Sequence, residues 1–421
     1  MTRGRKIAII LFIALFLPVQ LVAQTSEESI LTLDQCISIA IEQNPLILSS
    51  MQQYNASLAR VIQAKAMAQP SINWDSDLHP KLFQFGNSGE WYFGISQAFE
   101  FPGKRSIRGK IASKEASEFL QDIELLKLDI VFQVKQAFYH LLLSQEKLKY
   151  AQLNLELAED FLQKAELKYE AGEVAKVEAL RARVESSKAA NDVRSASNDV
   201  RLAKAMLNFL LARKKYSPLE IQGNLKKAPI DLNENELIAR ALSFRPEVKK
   251  IDMGLEREKL TKKQGYMSYL PDFEFGINKH RIIGEGDFWD FTLSFPIPLF
   301  FWQPKKGEIA EAEANIQALK RDVEHLQNAI TLEVGEAYMN AVTVNNQIRL
   351  FEEEILAQAE EVYNMFLFSY QEGEIGSIEL IEARRTLIDA RTSYADALFS
   401  YGVAIAALEK SIGQKLEGDG Q

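Results

Sequence analysis

The stretch that decides the fold is Tyr169-Glu170-Ala171-Gly172-Glu173-Val174, and the chain repeats it as Tyr370-Gln371-Glu372-Gly373-Glu374-Ile375. The two copies are 201 residues apart, and each lies where one long helical pattern stops and another begins. Glycine at the end of a helix adopts the left-handed conformation that lets the chain turn. The sequence therefore predicts two matching helical hairpins, with tips at 171–175 and 372–376.

The helices that lead to these tips are unusually long. No proline occurs from Lys104 to Glu170, a length on the order of 100 Å at about 1.5 Å per residue. Apolar residues in its lower part recur at spacings of three and four, which is a heptad seam. The seam consists of Leu148, Ala151, Leu155, Ala158, Leu162, Ala165 and Tyr169. Together with return helices at about 176–212 and 377–412, this pattern predicts antiparallel coiled hairpins.

Proline positions indicate that the chain is an internal duplication. Pro45 and Pro246 are 201 residues apart, and so are Pro70 and Pro271. Several fixed points at one offset are typical of a repeat. The predicted organisation is a signal peptide (1–23), a first repeat (24–213), a linker (214–233), a second repeat (234–413) and a tail (414–421).

Each half also contains two segments in which apolar and polar residues alternate. Trp91, Phe93 and Ile95, for example, alternate with polar or small neighbours. Period two with aromatic residues predicts strands, here at about 71–79, 91–100, 272–281 and 287–297. About ten residues suffice for a tilted strand to cross a membrane. The alternative is a small soluble sheet that is buried on one face.

Four strands are too few to close a barrel, which needs roughly eight. An open sheet edge in lipid would leave amide groups unpaired. Three chains that share one twelve-stranded barrel would solve both problems. The predicted fold class is therefore mainly α with a membrane β part, a trimeric α/β-barrel duct.

The N-terminus predicts export. Three cations at Arg3, Arg5 and Lys6 precede an apolar run, and a small residue, Ala23, offers a cleavage site. A retained anchor helix is the alternative. The formal charge is -9 over 421 residues, and an acidic chain is a poor nucleic-acid binder. The single cysteine, Cys36, excludes an internal disulfide and a cysteine-rich zinc site.

Both tips are followed by a similar helical segment, Glu178-Ala179-Leu180-Arg181-Ala182 in the first half and Glu379-Leu380-Ile381-Glu382-Ala383 in the second. With the tips in register, the signal peptide and the strands, the chain resembles the outer membrane efflux protein family, the TolC-like exit ducts. Phe101-Pro102-Gly103-Lys104-Arg105 and Pro296-Ile297-Pro298-Leu299-Phe300 are similar to its heavy-metal cation (CzcC-like) branch.

The resemblance implies a homotrimer whose barrel lies in the cell outer membrane and whose helical tunnel extends into the periplasm. Its implied partners are outer membrane lipid, a periplasmic adaptor (membrane fusion) protein and an inner-membrane pump. The implied activity is passive, gated exit of heavy-metal cations or small toxic compounds. We expect neither catalysis nor a cofactor.

The resemblance also implies roles for individual residues. Glu379 and Glu382 match the acidic pair of the aperture, and rings of carboxylates attract cations. Tyr370 and Glu178 match a gate contact, predicted as a hydroxyl–carboxylate hydrogen bond in the closed state. The residues expected to dock the adaptor are Gly172, Glu173, Val174, Gly373, Glu374 and Ile375. Ile375 stands where the family has a locking arginine, so that ionic lock is absent here.

Two other functions stay open at this point. An exit duct for type I protein secretion would use the same architecture, and the sequence does not separate the cargo. A periplasmic coiled-coil scaffold without a pore would be a soluble protein. His79 and His280 are also 201 residues apart. They suggest a metal site less strongly than they suggest lumen or loop residues kept by the duplication.

Overall fold

A computed structural model describes residues 30–77, 89–227, 233–297, 299 and 304–416. The predicted signal peptide, His79 and residues 417–421 of the predicted tail lie outside the described residues. The helices are α1 (Leu33–Gln43), α2 (Pro45–Ala64), α3 (Lys104–Glu170), α4 (Lys176–Leu210), α5 (Glu234–Phe244), α6 (Pro246–Met267), α7 (Pro304–Leu350), α8 (Leu356–Gln371) and α9 (Ser377–Ile412). The strands are β1 (Ile30–Leu31), β2 (Ser71–Asp77), β3 (Glu90–Phe99), β4 (Glu220–Ile221), β5 (Phe273–Ile282) and β6 (Gly286–Ser294).

Local signals set the helix boundaries. Thr32 and Gln35 form a reciprocal capping box at the start of α1, and the Asn44 side chain accepts from the Leu46 backbone at the start of α2. Pro45 occupies the first turn of α2, where a missing N–H costs nothing. Helix α3 spans the 67 residues that the absence of proline predicts. None of the helices in the described ranges is both long enough and apolar enough to cross a bilayer.

Two hydrophobic cores hold the middle of the molecule. In the first, Val134 and Leu141 of α3 pack with Cys36 of α1 and Leu207 of α4. The second is built from α5, α7 and α9, and its fully buried members are Ala241, Val334, Ile348, Leu408 and Ile412. The same order of elements thus builds one core in each half of the chain.

The second long helix contains a π-turn at Phe351–Ile355, between α7 and α8. The buried positions Ile130 and Val134 of α3 match Ile330 and Val334 of α7, an offset of 200. Nearer the tips the offset is 201, as in Gly172 and Gly373. A π-turn accommodates one additional residue in a helix, so it lets both ends of the helix keep their packing register.

The four longer strands form one antiparallel sheet in the order β2-β3-β5-β6. Cross-strand partners share a face, so the register divides the sheet into a mostly apolar and a mostly polar face. The mostly apolar face carries Ile72, Trp74, Trp91, Phe93, Ile95, Phe99, Phe273, Phe275, Ile277, Trp289, Phe291 and Leu293, and also the polar residues Ser76, Gln97, Lys279, Arg281 and Asp287. The polar face carries Asn73, Asp75, Asp77, Glu90, Tyr92, Glu274, Asn278, His280, Asp290 and Thr292.

The apolar face of this sheet is open to solvent. Trp74 is 65% exposed and Phe291 is 72% exposed. The described residues of one chain therefore do not bury this face, as the soluble-sheet alternative would require. Strands β2 and β6 are the two edges, and each has one strand neighbour within the described residues.

The predicted linker (214–233) contains a short strand. Its residues Glu220–Ile221 form β4, which pairs in parallel with Ile30–Leu31. Leu219 and Leu31 are buried in the first core. Apolar side chains in an otherwise polar linker thus fasten it to the start of α1, because their burial removes apolar surface from water.

Candidate functional site at the hairpin tips

The two tips have the same backbone geometry. Gly172 and Gly373 have φ angles of 78° and 80°. The Glu173 N–H donates to the Lys168 carbonyl at 2.9 Å, and the Glu374 N–H donates to Ser369 at 2.9 Å. These are the bonds of a Schellman motif, which satisfies the last carbonyls of a helix. Both tips are exposed, as a docking surface requires.

A small apolar cluster joins the two hairpins just above the tips. Phe161 and Ala165 of α3 and Ala182 of α4 pack against the second hairpin. The second hairpin contributes Tyr370, Leu380 and Ile381. The rings of Phe161 and Tyr370 are 5.4 Å apart, and Lys168 lies 4.9 Å above the Tyr370 ring. The hairpins therefore touch through side chains that can separate without breaking secondary structure.

Glu178, the predicted acidic partner in the gate, does contact the second hairpin. Its carboxylate accepts from the Ser377 hydroxyl and from Arg181 at 3.1 Å. Tyr370 is buried beside it, and burial followed by the charge of Glu178 raises the pKa of the tyrosine. In this structure Ser377 occupies the role predicted for Tyr370, whose hydroxyl makes no hydrogen bond to Glu178 among the described contacts.

A buried arginine, which the sequence reasoning missed, also lies between the hairpins. Arg384 of α9 is about 7% exposed at its side chain, and its guanidinium lies 3.7 Å from the Glu185 carboxylate of α4. Glu185 also lies 3.8 Å from Arg385 and accepts from Lys188 at 2.9 Å. Burial lowers the pKa of Arg384, and the charge of Glu185 opposes that shift.

The Arg384 site is incompletely satisfied. Its Nε is buried without a hydrogen-bond partner in the described chain, and 3.7 Å is an ion-pair distance rather than a hydrogen bond. A signal for this residue existed in the sequence. Arg384 follows Leu380 and Ile381 and precedes Leu387, at the spacing of one buried helical face. A charge in that stripe indicates a buried ion pair.

The predicted acidic pair of the aperture is exposed on α9, but its two members differ. Glu382 accepts from Arg385 at 3.0 Å, which neutralises part of its charge. Glu379 has no ion pair within the described part of the chain. Of the two carboxylates, Glu379 is therefore the one whose charge is not offset by an ion pair within the described residues.

His280 lies on the polar face of the sheet, far along the chain from the tips. It stacks on Tyr92 at 4.1 Å and lies 3.5 Å from Asp290 and 3.9 Å from Glu90. Across residues 30–77, 89–227, 233–297, 299 and 304–416, no group of histidine, cysteine and acidic side chains has the geometry to hold a metal ion. The structure gives His280 a stacking and electrostatic environment instead.

The family model described as "Outer membrane efflux protein" matches residues 36–213 and 238–414. The cobalt-zinc-cadmium resistance protein CzcC of Cupriavidus metallidurans is 23% identical over 364 residues, covering 85% of this chain and 84% of CzcC.

Solved structures agree on the fold. A crystal structure of CusC matches with a TM-score of 0.76 and 18% identity, over 91% of this chain and 92% of that one. The outer membrane protein VceC of Vibrio cholerae matches with a TM-score of 0.74 and 14% identity, over 91% of this chain and 97% of that one. The two ranges matched by the family model lie on either side of the linker.

Proposed function

Because this chain belongs to the outer membrane efflux protein family, we propose that three copies form a passive exit duct for heavy-metal cations, gated at the hairpin tips. The observation that carries the proposal is the uncovered sheet. It has one apolar face, one polar face and two open edges, and it continues into helices on the order of 100 Å long.

The open edges favour a shared barrel. A sheet whose apolar face contacts lipid leaves no water for the N–H and C=O groups at the edges of β2 and β6. Pairing β2 of one copy with β6 of the next satisfies both edges. Three copies supply twelve strands, enough for a barrel with an open lumen. The polar face then lines that lumen, and the helices extend into the periplasm.

The charges on the inner face support a cation as cargo. Asp75, Asp77, Glu90, Glu274 and Asp290 share the polar face of the sheet. Threefold repetition converts each acidic residue into a ring, and such rings attract cations and repel anions. Glu379 would add a ring near the tips. The similarity to a cobalt-zinc-cadmium resistance protein is consistent with this chemistry.

Gating is proposed to depend on contacts between the hairpins. The pair of Arg384 and Glu185 would replace the lock that Ile375 cannot make, with the Glu178–Ser377 hydrogen bond beside it. The hydrogen bond of the Tyr370 hydroxyl to the Glu178 carboxylate in the closed state stays a prediction. The exposed tips around Gly172 and Gly373 are the proposed docking site of a periplasmic adaptor, which would connect the duct to an inner-membrane pump.

Reversal-potential measurements on the purified protein in planar bilayers test the duct directly. We expect a trimer in outer-membrane fractions that conducts and selects K⁺ over Cl⁻. A soluble protein without conductance would contradict the proposal and would favour the pore-less scaffold. A strain that lacks the gene should be sensitive to cobalt, zinc or cadmium. Normal metal resistance with impaired protein secretion would favour a secretion duct.

A further inference from the structure

A groove in the described part of the molecule lies where the sheet meets the long helices. Its volume is about 830 Å³. The end of α2, the end of β3 and the first turns of α3 form its walls. Its lining includes Phe99 and Phe101, together with the cations Lys65, Arg105 and Lys110.

Position relates this groove to the apolar face of the sheet. Phe99 is the last residue of β3 and lies on the same face as Phe93 and Ile95, by strand alternation. Its ring stacks on Phe273 at 5.4 Å. Aromatic residues at the end of a lipid-facing band mark the boundary between hydrocarbon and headgroups. The groove therefore begins at the periplasmic boundary of the proposed membrane segment.

The cations of the groove lack acidic partners. Lys65, Arg105 and Lys110 are exposed, and none makes an ion pair within the described residues. Glu100 also lines the groove, but the Arg108 guanidinium pairs with it at 2.6 Å. The aliphatic part of the Lys65 side chain packs against Gly109. A side chain at position 109 would place its Cβ within 2.6 Å of the Lys65 Cγ. The groove thus offers three uncompensated cations beside apolar rings.

We propose that this groove binds a phospholipid of the periplasmic leaflet, with its phosphate on the three cations and the start of its acyl chains against the aromatic rings. This inference rests on the proposed outer-membrane location of the sheet. Arg105 and Lys110 lie in the first two turns of α3, which follows the end of β3 after four residues. A headgroup layer extends roughly 5–8 Å on each side of the hydrocarbon, and these turns come directly after the proposed membrane strand. Charge-assisted contacts to phosphate are strong, so the lipid would fix the depth of the barrel.

Native mass spectrometry of the intact trimer tests this proposal. Phosphatidylglycerol is added to delipidated protein, with diacylglycerol of the same chains and inorganic phosphate as separate probes. The test variant is Arg105→Gln/Lys110→Gln. The matched control is Arg183→Gln/Lys188→Gln, which removes two exposed cations at the far end of the helices. We expect one tightly held phosphatidylglycerol per subunit, about tenfold or more weaker binding by the test variant, and no change in the control.

The proposal would be overturned if the test variant bound phosphatidylglycerol as tightly as wild type, or if wild type bound diacylglycerol as tightly as phosphatidylglycerol. Displacement of the lipid by millimolar phosphate would also overturn it. So would the absence of retained lipid because a neighbouring subunit fills the groove. Where the double variant does not assemble, Lys65→Gln replaces it. Conductance of the test variant is measured in parallel. If wild type conducts but does not bind lipid, only the role of the groove is refuted. If wild type does not conduct at all, the proposed duct is refuted.

Discussion

Replacement of Glu185 by glutamine should weaken the closed position of the hairpins. At an effective dielectric constant of about 20, unit charges 3.7 Å apart attract by about 4 kcal/mol. The net contribution is smaller, because burial removes both charged groups from water and the Arg384 Nε lacks an acceptor within the described residues. We expect a net loss of about 1–2 kcal/mol per subunit, after desolvation of the pair is taken into account.

Three subunits that act together would lose about 3–6 kcal/mol, which is at least about a hundredfold change in the ratio of closed to open ducts. Single-channel recording in planar bilayers should show a larger mean conductance for Glu185→Gln than for wild type. The matched control is Glu166→Gln. Glu166 pairs with Arg183 at 2.6 Å inside the first hairpin, so it does not bridge the two hairpins.

A third variant distinguishes loss of the Glu185–Arg384 ion pair from a general weakening of the contacts between the hairpins. In Glu185→Gln/Arg384→Met the buried cation is removed with its partner, and an apolar side chain of similar length takes its place. Because replacing a buried ion pair by apolar groups is often neutral, we expect conductance to return toward the wild-type value. Unchanged conductance in Glu185→Gln, or an equal increase in Glu166→Gln, would refute the role assigned to this pair.

Three further predictions concern the π-turn, the buried cysteine and the second tip. Deletion of Glu353 within the π-turn should leave a continuous α-helix and an assembled trimer by size-exclusion chromatography. Deletion of Glu361 in α8 should instead rotate the helical face that leads to the second tip by about 100° and abolish assembly. If both deletions assemble, or neither does, the π-turn does not hold a one-residue insertion. Burial raises the pKa of the Cys36 thiol to about 11, although the Arg213 charge opposes this. The buried neutral thiol therefore contributes to the free energy of unfolding below about pH 9, and this contribution is lost as the pH rises through 11. Iodoacetamide should leave folded protein unlabelled at pH 8, and rapid labelling would refute burial. Gly373→Val should abolish metal efflux but leave trimers in the membrane, since φ is 80° there and no neighbour lies within 4 Å; normal resistance would contradict adaptor docking.

The sequence by itself determined the periodic elements of this protein. The absence of proline and the heptad seam predicted α3, and alternating aromatic residues predicted β3 and β5 to within about a residue. These features are local, because the periodicity of a helix or strand depends on residues that are close in the sequence. The glycines of the tips were also predictable, since few other residues adopt a positive φ without strain.

Tertiary structure decided which side chains meet across the hairpins. The sequence offered Tyr370 for Glu178, whereas the fold brings Ser377 to that carboxylate and places Arg384 beside Glu185. Residues 199 positions apart in the chain meet only through the relative rotation of two long helices. The π-turn at Phe351–Ile355 sets part of that rotation by taking up one residue. A one-residue change of register rotates a helical face by about 100°. For that reason the contacts at the tips depend on the whole length of the helices above them.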